Sequence, residues 1–247
     1  MGKLISAIAV FLFTVFFLQC TMGSEIKDGT VIITNKDVKG TQVQFSFKRG
    51  TAWGNKVKVG PVSLQITPQI ALWIEDSSGR LLQNIFVTKR FAKQEWRTIK
   101  SHPDSTYRTM SLPFWLNKMI AAGLPVPTQS KPLPDAVTEA TPSGNFTINT
   151  NINSQIKSGI IWCEVNSSFD NNNVYSKDRP NSLNGQPSVL FSGEYNSTDT
   201  SHSPVQLIYK GHGGESGSDG ALYTDDSGIT TARSIVESIK CVIKSDN

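Results

Sequence analysis

Residues 41–49 read TQVQFSFKR, and their alternation decides the fold class. Val43, Phe45 and Phe47 fall on one side of an extended chain, and Gln42, Gln44 and Ser46 on the other, because successive side chains of a strand point to opposite faces. One face is dry and the other wet, which marks an antiparallel sheet rather than a parallel one covered on both sides. The same reading extends outward to GTVIIT, VSLQI, QIALWIED, LLQNIFVT, NFTINTNI, SGIIWCEV, PSVLFSGEY, VQLIYK and SIKCVIK. DSSGR, between IALWIE and LLQNIF, is a short turn with glycine where a positive φ is wanted, so those two strands form a hairpin. The expected fold is mainly β: an antiparallel β-sandwich, with immunoglobulin-like architecture as one form of it, carrying two short α-helices.

The first helix is read in SLPFWLNKMIAAG. Leu112, Trp115, Leu116, Met119 and Ile120 form one stripe, with Ser111 as N-cap, Pro113 in the first turn and Gly123 past the end. The second is read in DDSGITTARSIVESI, where Ile229, Ala232, Ile235, Val236 and Ile239 align behind acidic and hydroxyl residues suited to a helix start. LPVPTQSKPLP (124–134) is proline-rich and runs extended.

The first twenty residues, MGKLISAIAVFLFTVFFLQC, hold one positive charge at Lys3 followed by an apolar stretch from Leu4 to Leu18, interrupted by Ser6 and Thr14. That is an export signal, shorter than the ~20 residues that cross a bilayer as a helix and followed by polar sequence. Two processing sites compete. Cys20 stands where a bacterial lipoprotein signal places its lipidated cysteine, although Gln19 precedes it where glycine or alanine is usual. Thr21 and Gly23 offer ordinary cleavage before Ser24. We take lipidation at Cys20 as the working expectation, with residues 1–20 removed or processed, 21–61 as N-terminal strands and 62–247 as the remainder of the same folded unit. The expected location is the periplasmic or cell-surface side of a bacterial membrane, with that membrane as a partner. The 24 Lys and Arg against 20 Asp and Glu are too near balance to argue for nucleic acid.

Alternation puts Cys163 with Ile161 and Val165, and Cys241 with Ile239 and Ile243, so both thiols point into a core. In an oxidising compartment they are disulfide candidates if they lie on neighbouring strands; two buried free thiols are the other reading.

Several stretches together, QIALWIEDSSGRLLQNIFV, DAVTEATPSGNFTI, WCEVNSSFDNNNVYS, NGQPSVLFSGE and GHGGESGSDGALYTDDSGITTARSIV, resemble in that order the bacterial periplasmic domain-of-unknown-function 2271 family, from about Val62 to the C-terminus. The resemblance implies an exported β-rich domain, and genes of that family look to be associated with membrane flavin and iron-linked redox systems. A redox membrane protein is therefore a possible partner. The family pattern over residues 135–142 is close to DAVTGATP, which is similar to the acceptor motif of periplasmic flavin transferases. Those enzymes join FMN through its phosphate to the hydroxyl of the last threonine. Here that residue is Thr141, and Asp135 matches the leading acid.

Glu139 stands where both patterns have glycine. If that glycine is left-handed, a side chain there costs about 1–2 kcal/mol, and its carboxylate repels an incoming phosphate. Two readings stay open for PDAVTEATPSG: a structural turn leading into a strand, with threonine hydroxyls bonding the backbone, or a covalent FMN site.

Three further constellations carry candidate chemistry. GHGGESGSDG (211–220) suggests a hydrolase through His212 and Ser216, but Ser218 replaces the final glycine of a GxSxG elbow and the oxyanion-like piece is adjacent rather than far upstream. A glycine-rich connection is the plainer reading. Glu164, Asn166 and Asp170, with Asn172 and Asp178, supply oxygen ligands suited to calcium, though without the DxDxDG spacing of a calcium loop. KRFAKQEWRTIK (89–100) sets five basic residues and one Glu around Phe91 and Trp96. It is read either as a contact for anionic lipid or as a solvated edge with its aromatics tucked inward. Together these features lead us to expect a binding or accessory module without catalysis and without a cofactor of its own; a covalent FMN carrier through Thr141 and a hydrolase are the alternatives.

Overall fold

A computed structural model describes residues 29–59, 61–96, 102–179, 184–199 and 203–244. The leader and Cys20 lie outside the described residues. The strands are β1 (Thr30–Thr34), β2 (Gly40–Arg49), β3 (Asn55–Val59), β4 (Val62–Ile66), β5 (Gln69–Glu75), β6 (Leu81–Thr88), β7 (Thr138–Glu139), β8 (Phe146–Asn153), β9 (Ser158–Asn166), β10 (Val189–Asn196), β11 (Val205–His212) and β12 (Val236–Ile243). Ten of them join in the order β1-β8-β2-β12-β11-β10-β9-β5-β6-β7, while β3 and β4 pair only with each other. Neighbours are antiparallel except β1 with β8 and β6 with β7.

The long sheet folds over on itself. Phe45, Phe47, Phe146, Ile148, Ile239 and Cys241 from one half meet Ile70, Leu72, Ile161, Cys163 and Val189 from the other in a single core. The halves remain hydrogen-bonded through β10 and β11, with a bulge between Leu190 and Phe191, whereas immunoglobulin domains keep two separate sheets. On the far side, Gln83 Nε2 donates to Asn151 O at 2.9 Å and Asn35 Nδ2 to Asn84 O at 3.1 Å, tying the two layers together.

β5 is buried along its whole length, because a second apolar layer covers its outer face. Ala71, Trp73 and Leu190 there meet Phe91 of α1 (Lys89–Ala92) and Leu112, Trp115, Leu116 and Met119 in and beside α2 (Pro113–Ala121). The predicted stripe of α2 holds except at Ile120, which is 58% exposed. Gly123 adopts φ +70° where the helix stops, and Gly79 adopts φ +81° in the β5–β6 turn, both as expected from the absence of a Cβ.

The second expected helix is absent. Residues 231–234 form a single 3₁₀ turn, and Val236 already belongs to β12. A bulge between Val236 and Ser238 inserts one residue into the ladder with β2, so the buried side chains step from Val236 to Ile239 before resuming at Cys241 and Ile243. That three-residue step imitates helical spacing. The two thiols do not lie on neighbouring strands, as the disulfide reading requires: β9 and β12 are separated by β10 and β11, and Cys163 and Cys241 are free and buried, which is the other reading. Burial raises both thiols, Cys241 to about 12.

Connection lengths divide the sandwich into two unlike poles. Residues 35–39, 76–80 and 154–157 make short turns at one pole, where the described ends of the β10–β11 connection also lie. At the other lie 50–54 with the β3–β4 hairpin, 213–235, and the described parts of the connections from β6 to β8 and from β9 to β10. The chain reaches β1 at this second pole, where Gly29 N donates to Asn145 O at 3.0 Å.

Candidate functional site

The loop-bearing pole gathers Asp135, Thr141, Glu164, Asn166, Asp170 and His212, but as separate clusters. In DAVTEATPSG, residues 135–137 form one 3₁₀ turn, and Thr138–Glu139 add a two-residue strand beside β6. Thr141 is 6% exposed. Its hydroxyl donates to Pro68 O at 2.7 Å, and with that proton committed it accepts from Thr88 Oγ1 at 3.0 Å. Trp53 Nε1 fastens the next residue by donating to Pro142 O at 3.0 Å. Glu139 sits in extended backbone with its carboxylate accepting from Ala140 N at 2.8 Å. Asp135 is ion-paired with Lys93, which holds its carboxyl below the usual range. A transferase needs an accessible hydroxyl, so these residues do not fit covalent FMN.

The calcium set does not converge. Glu164 is fully buried on β9 and serves α2: it accepts from Phe114 N at 3.1 Å, Trp115 N at 2.7 Å and Ser188 Oγ at 2.5 Å. It is thus the cap that the sequence reading gave to Ser111, whose hydroxyl instead donates to Asn184 Oδ1 at 3.3 Å. Orphan N–H groups at a helix start are ordinarily capped locally; here the acceptor comes from about fifty positions along the chain. Burial pushes Glu164 up to about 7 against the pull of its three donors. Asp170 accepts from Gln186 Nε2 at 2.9 Å and Thr231 Oγ1 at 2.6 Å, and burial raises it too. Asn166 donates to Gln186 O at 3.0 Å, while its Oδ1, and Gln69 Oε1 opposite it in register, have no protein partner. Two neutral oxygens with no carboxylate between them suit an ordered water better than calcium. Among the described residues no three His, Cys, Asp or Glu side chains come together as metal ligands.

His212 and Ser216 do not pair. The two imidazole nitrogens lie 2.8 Å from Gly213 O and 3.1 Å from Asp225 O, and Ser216 Oγ is 2.6 Å from Ser218 Oγ. The glycines of this loop have a packing reason. A Cβ on Gly213 would lie 2.6 Å from Ser188 Oγ, and one on Gly217, which has φ +75°, 2.5 Å from the backbone of Met110. So fitted, the loop forms one wall of an open cavity of about 310 Å³, lined by Tyr175, His212, Gly213, Gly214, Glu215, Ser216, Asp219 and Tyr223. The Tyr223 ring stacks on His212 with centroids 5.4 Å apart. Across the cavity, Arg179 lies over Tyr175 and pairs with Glu215 at 3.0 Å. Aromatic faces beside carboxylates and hydroxyls suit recognition of a polar ligand. Sequence reasoning missed Tyr175, Asp219 and Tyr223; large aromatics set in otherwise small, polar loops were the available signal.

In the basic segment, Phe91 is buried and Trp96 is 8% exposed, so the aromatics are tucked inward. Comparison with family models, with curated proteins and with solved structures finds no match for this chain.

Proposed function

We propose that the protein is an exported, lipid-anchored binding module of a bacterial envelope that works through its loop-bearing pole and accompanies a membrane redox system. The observation that carries this reading is the gathering of the long connections, the His212–Tyr223 cavity and the Gly29 end of β1 at one pole of a rigid sandwich. Loops held by a rigid scaffold are where recognition surfaces are built. The absence of catalysis is supported by the state of the reactive groups: Glu164, Asp170, His212 and Thr141 each answer to partners inside the fold. The redox partner rests on the family resemblance, and the anchor on the leader ending at Cys20.

Fractionation of host cells tests the anchor: wild-type protein stays with the envelope until detergent is added, and Cys20→Ser protein is soluble. Soluble wild-type protein beginning at Ser24 contradicts it. A photo-crosslinking residue tests the recognition surface. Placed at Tyr223 it captures an envelope partner, and placed at Ser77 in the opposite pole it captures none; equal capture from both positions contradicts the reading.

A further inference from the structure

The β3–β4 hairpin takes no part in the main sheet, yet it holds a regular register, with Val57 opposite Leu64 and Lys58 opposite Ser63. Residues opposite one another share a face, so Val57, Val62, Leu64 and Ile66 lie on one side of the ribbon and Lys56, Lys58, Ser63 and Gln65 on the other. The apolar side is uncovered at Val62, which is 52% exposed, and Leu64, which is 39% exposed, while Val57 and Ile66 are half-buried. A two-stranded ribbon by itself is marginally stable in water, and this one is fastened at its root, where Asn55 Nδ2 donates to Phe169 O at 2.9 Å.

We infer that this hairpin is a second membrane contact, lying in the head-group region of a bilayer that carries anionic lipid. Three observations select that occupant. The ribbon has one lysine side and one aliphatic side, which is how an interfacial element places its charges at head groups and its apolar atoms below them. The same pole carries exposed Lys89 on α1 and exposed Arg49 at the end of β2. Gly29, nine positions after Cys20, sits at this pole, and a tether of that length spans at most about 30 Å. The direction of approach therefore rests on the anchor proposed above. A second copy of the chain is a poorer occupant, since two exposed side chains are far from the roughly 1,200 Å² or more that a stable interface buries.

The test uses the mature protein, with a polarity-sensitive maleimide fluorophore on Leu64→Cys and, as reference, on Ser77→Cys; Cys163 and Cys241 are buried. The protein is mixed with vesicles of phosphatidylglycerol and phosphatidylethanolamine, or of phosphatidylcholine alone, containing brominated lipid as quencher. On anionic vesicles the Leu64 probe shifts to the blue and is quenched several-fold more than the Ser77 probe. Lys56→Glu with Lys58→Glu reduces that quenching about tenfold, as expected for lysines near an anionic surface. Flotation of the protein reads the anchor separately. Protein that floats with an unquenched Leu64 probe overturns the hairpin inference and leaves the anchor standing. Protein that fails to float on phosphatidylcholine overturns the anchor, and the hairpin inference then stands only if anionic vesicles still bind the protein and quench the probe. Self-association that disappears on Val62→Asp, with no quenching by lipid, assigns the ribbon to a second copy and overturns the lipid contact.

Discussion

The Thr141 hydroxyl donates to Pro68 O at 2.7 Å from a site 6% exposed, so the threonine that matches a flavin-acceptor motif is a clasp between the 89–145 connection and the start of β5. Thr141→Val keeps the shape and removes the hydroxyl, leaving Pro68 O without its donor and Thr88 Oγ1 without this acceptor. The expected loss is about 1–3 kcal/mol in denaturant unfolding. Co-expression with a flavin transferase adds no FMN mass to the wild-type chain. Nor does it to Glu139→Gly, because Glu139 already lies in extended backbone and the buried hydroxyl is unchanged. Gain of one FMN mass that is lost with Thr141→Ala contradicts this assignment.

Glu164 makes stability depend on pH in an unusual direction. Its ordinary value of 4.5 is raised by burial to about 7 in the folded chain, so between those values the folded state holds a proton that the unfolded state has released. Stability therefore falls as pH rises through that window, by roughly 3 kcal/mol in all. Glu164→Gln flattens the slope and lowers stability overall, since Phe114 N and Trp115 N donate to different oxygens of Glu164 and one of these becomes an NH2 that cannot accept. Urea midpoints from pH 4.5 to 8 check the sign; a wild-type slope of zero or of opposite sign from this residue contradicts it.

Lys118 anchors the other end of α2. Its ammonium lies 3.0 Å from the carboxylate of Glu75, which is 2% exposed and also accepts from Trp73 Nε1 at 2.7 Å. Lys118→Met leaves that charge buried without its cation and costs about 3 kcal/mol. The double variant with Glu75→Gln recovers part of the loss, and a double-mutant cycle measures the coupling.

Cys163 and Cys241 are unreactive toward maleimide in folded protein and both react once it is unfolded without reductant. Failure of either to react after unfolding points to a bond that the separation of β9 and β12 by two strands argues against.

The strands were legible because alternation survives in ordinary chain, as TQVQFSFKR shows. It misled where a bulge changed the step, between Val236 and Ser238, and DDSGITTARSIVESI read as a helix. NKVKV, the first strand of the exposed hairpin, went unread because only two valines in five positions alternate with lysine and no core answers them. At the site, residue types were readable but their partners were not. Glu164 looks like a cation ligand in sequence, and only the packing of α2 across β9 makes it a helix cap.

The intact mass of the mature protein extracted from its host envelope tests the central proposal most directly. The account predicts a chain beginning at Cys20, heavier by a lipid modification, with no flavin and with both remaining thiols free. An unmodified soluble chain beginning at Ser24, or a chain carrying one FMN, contradicts it.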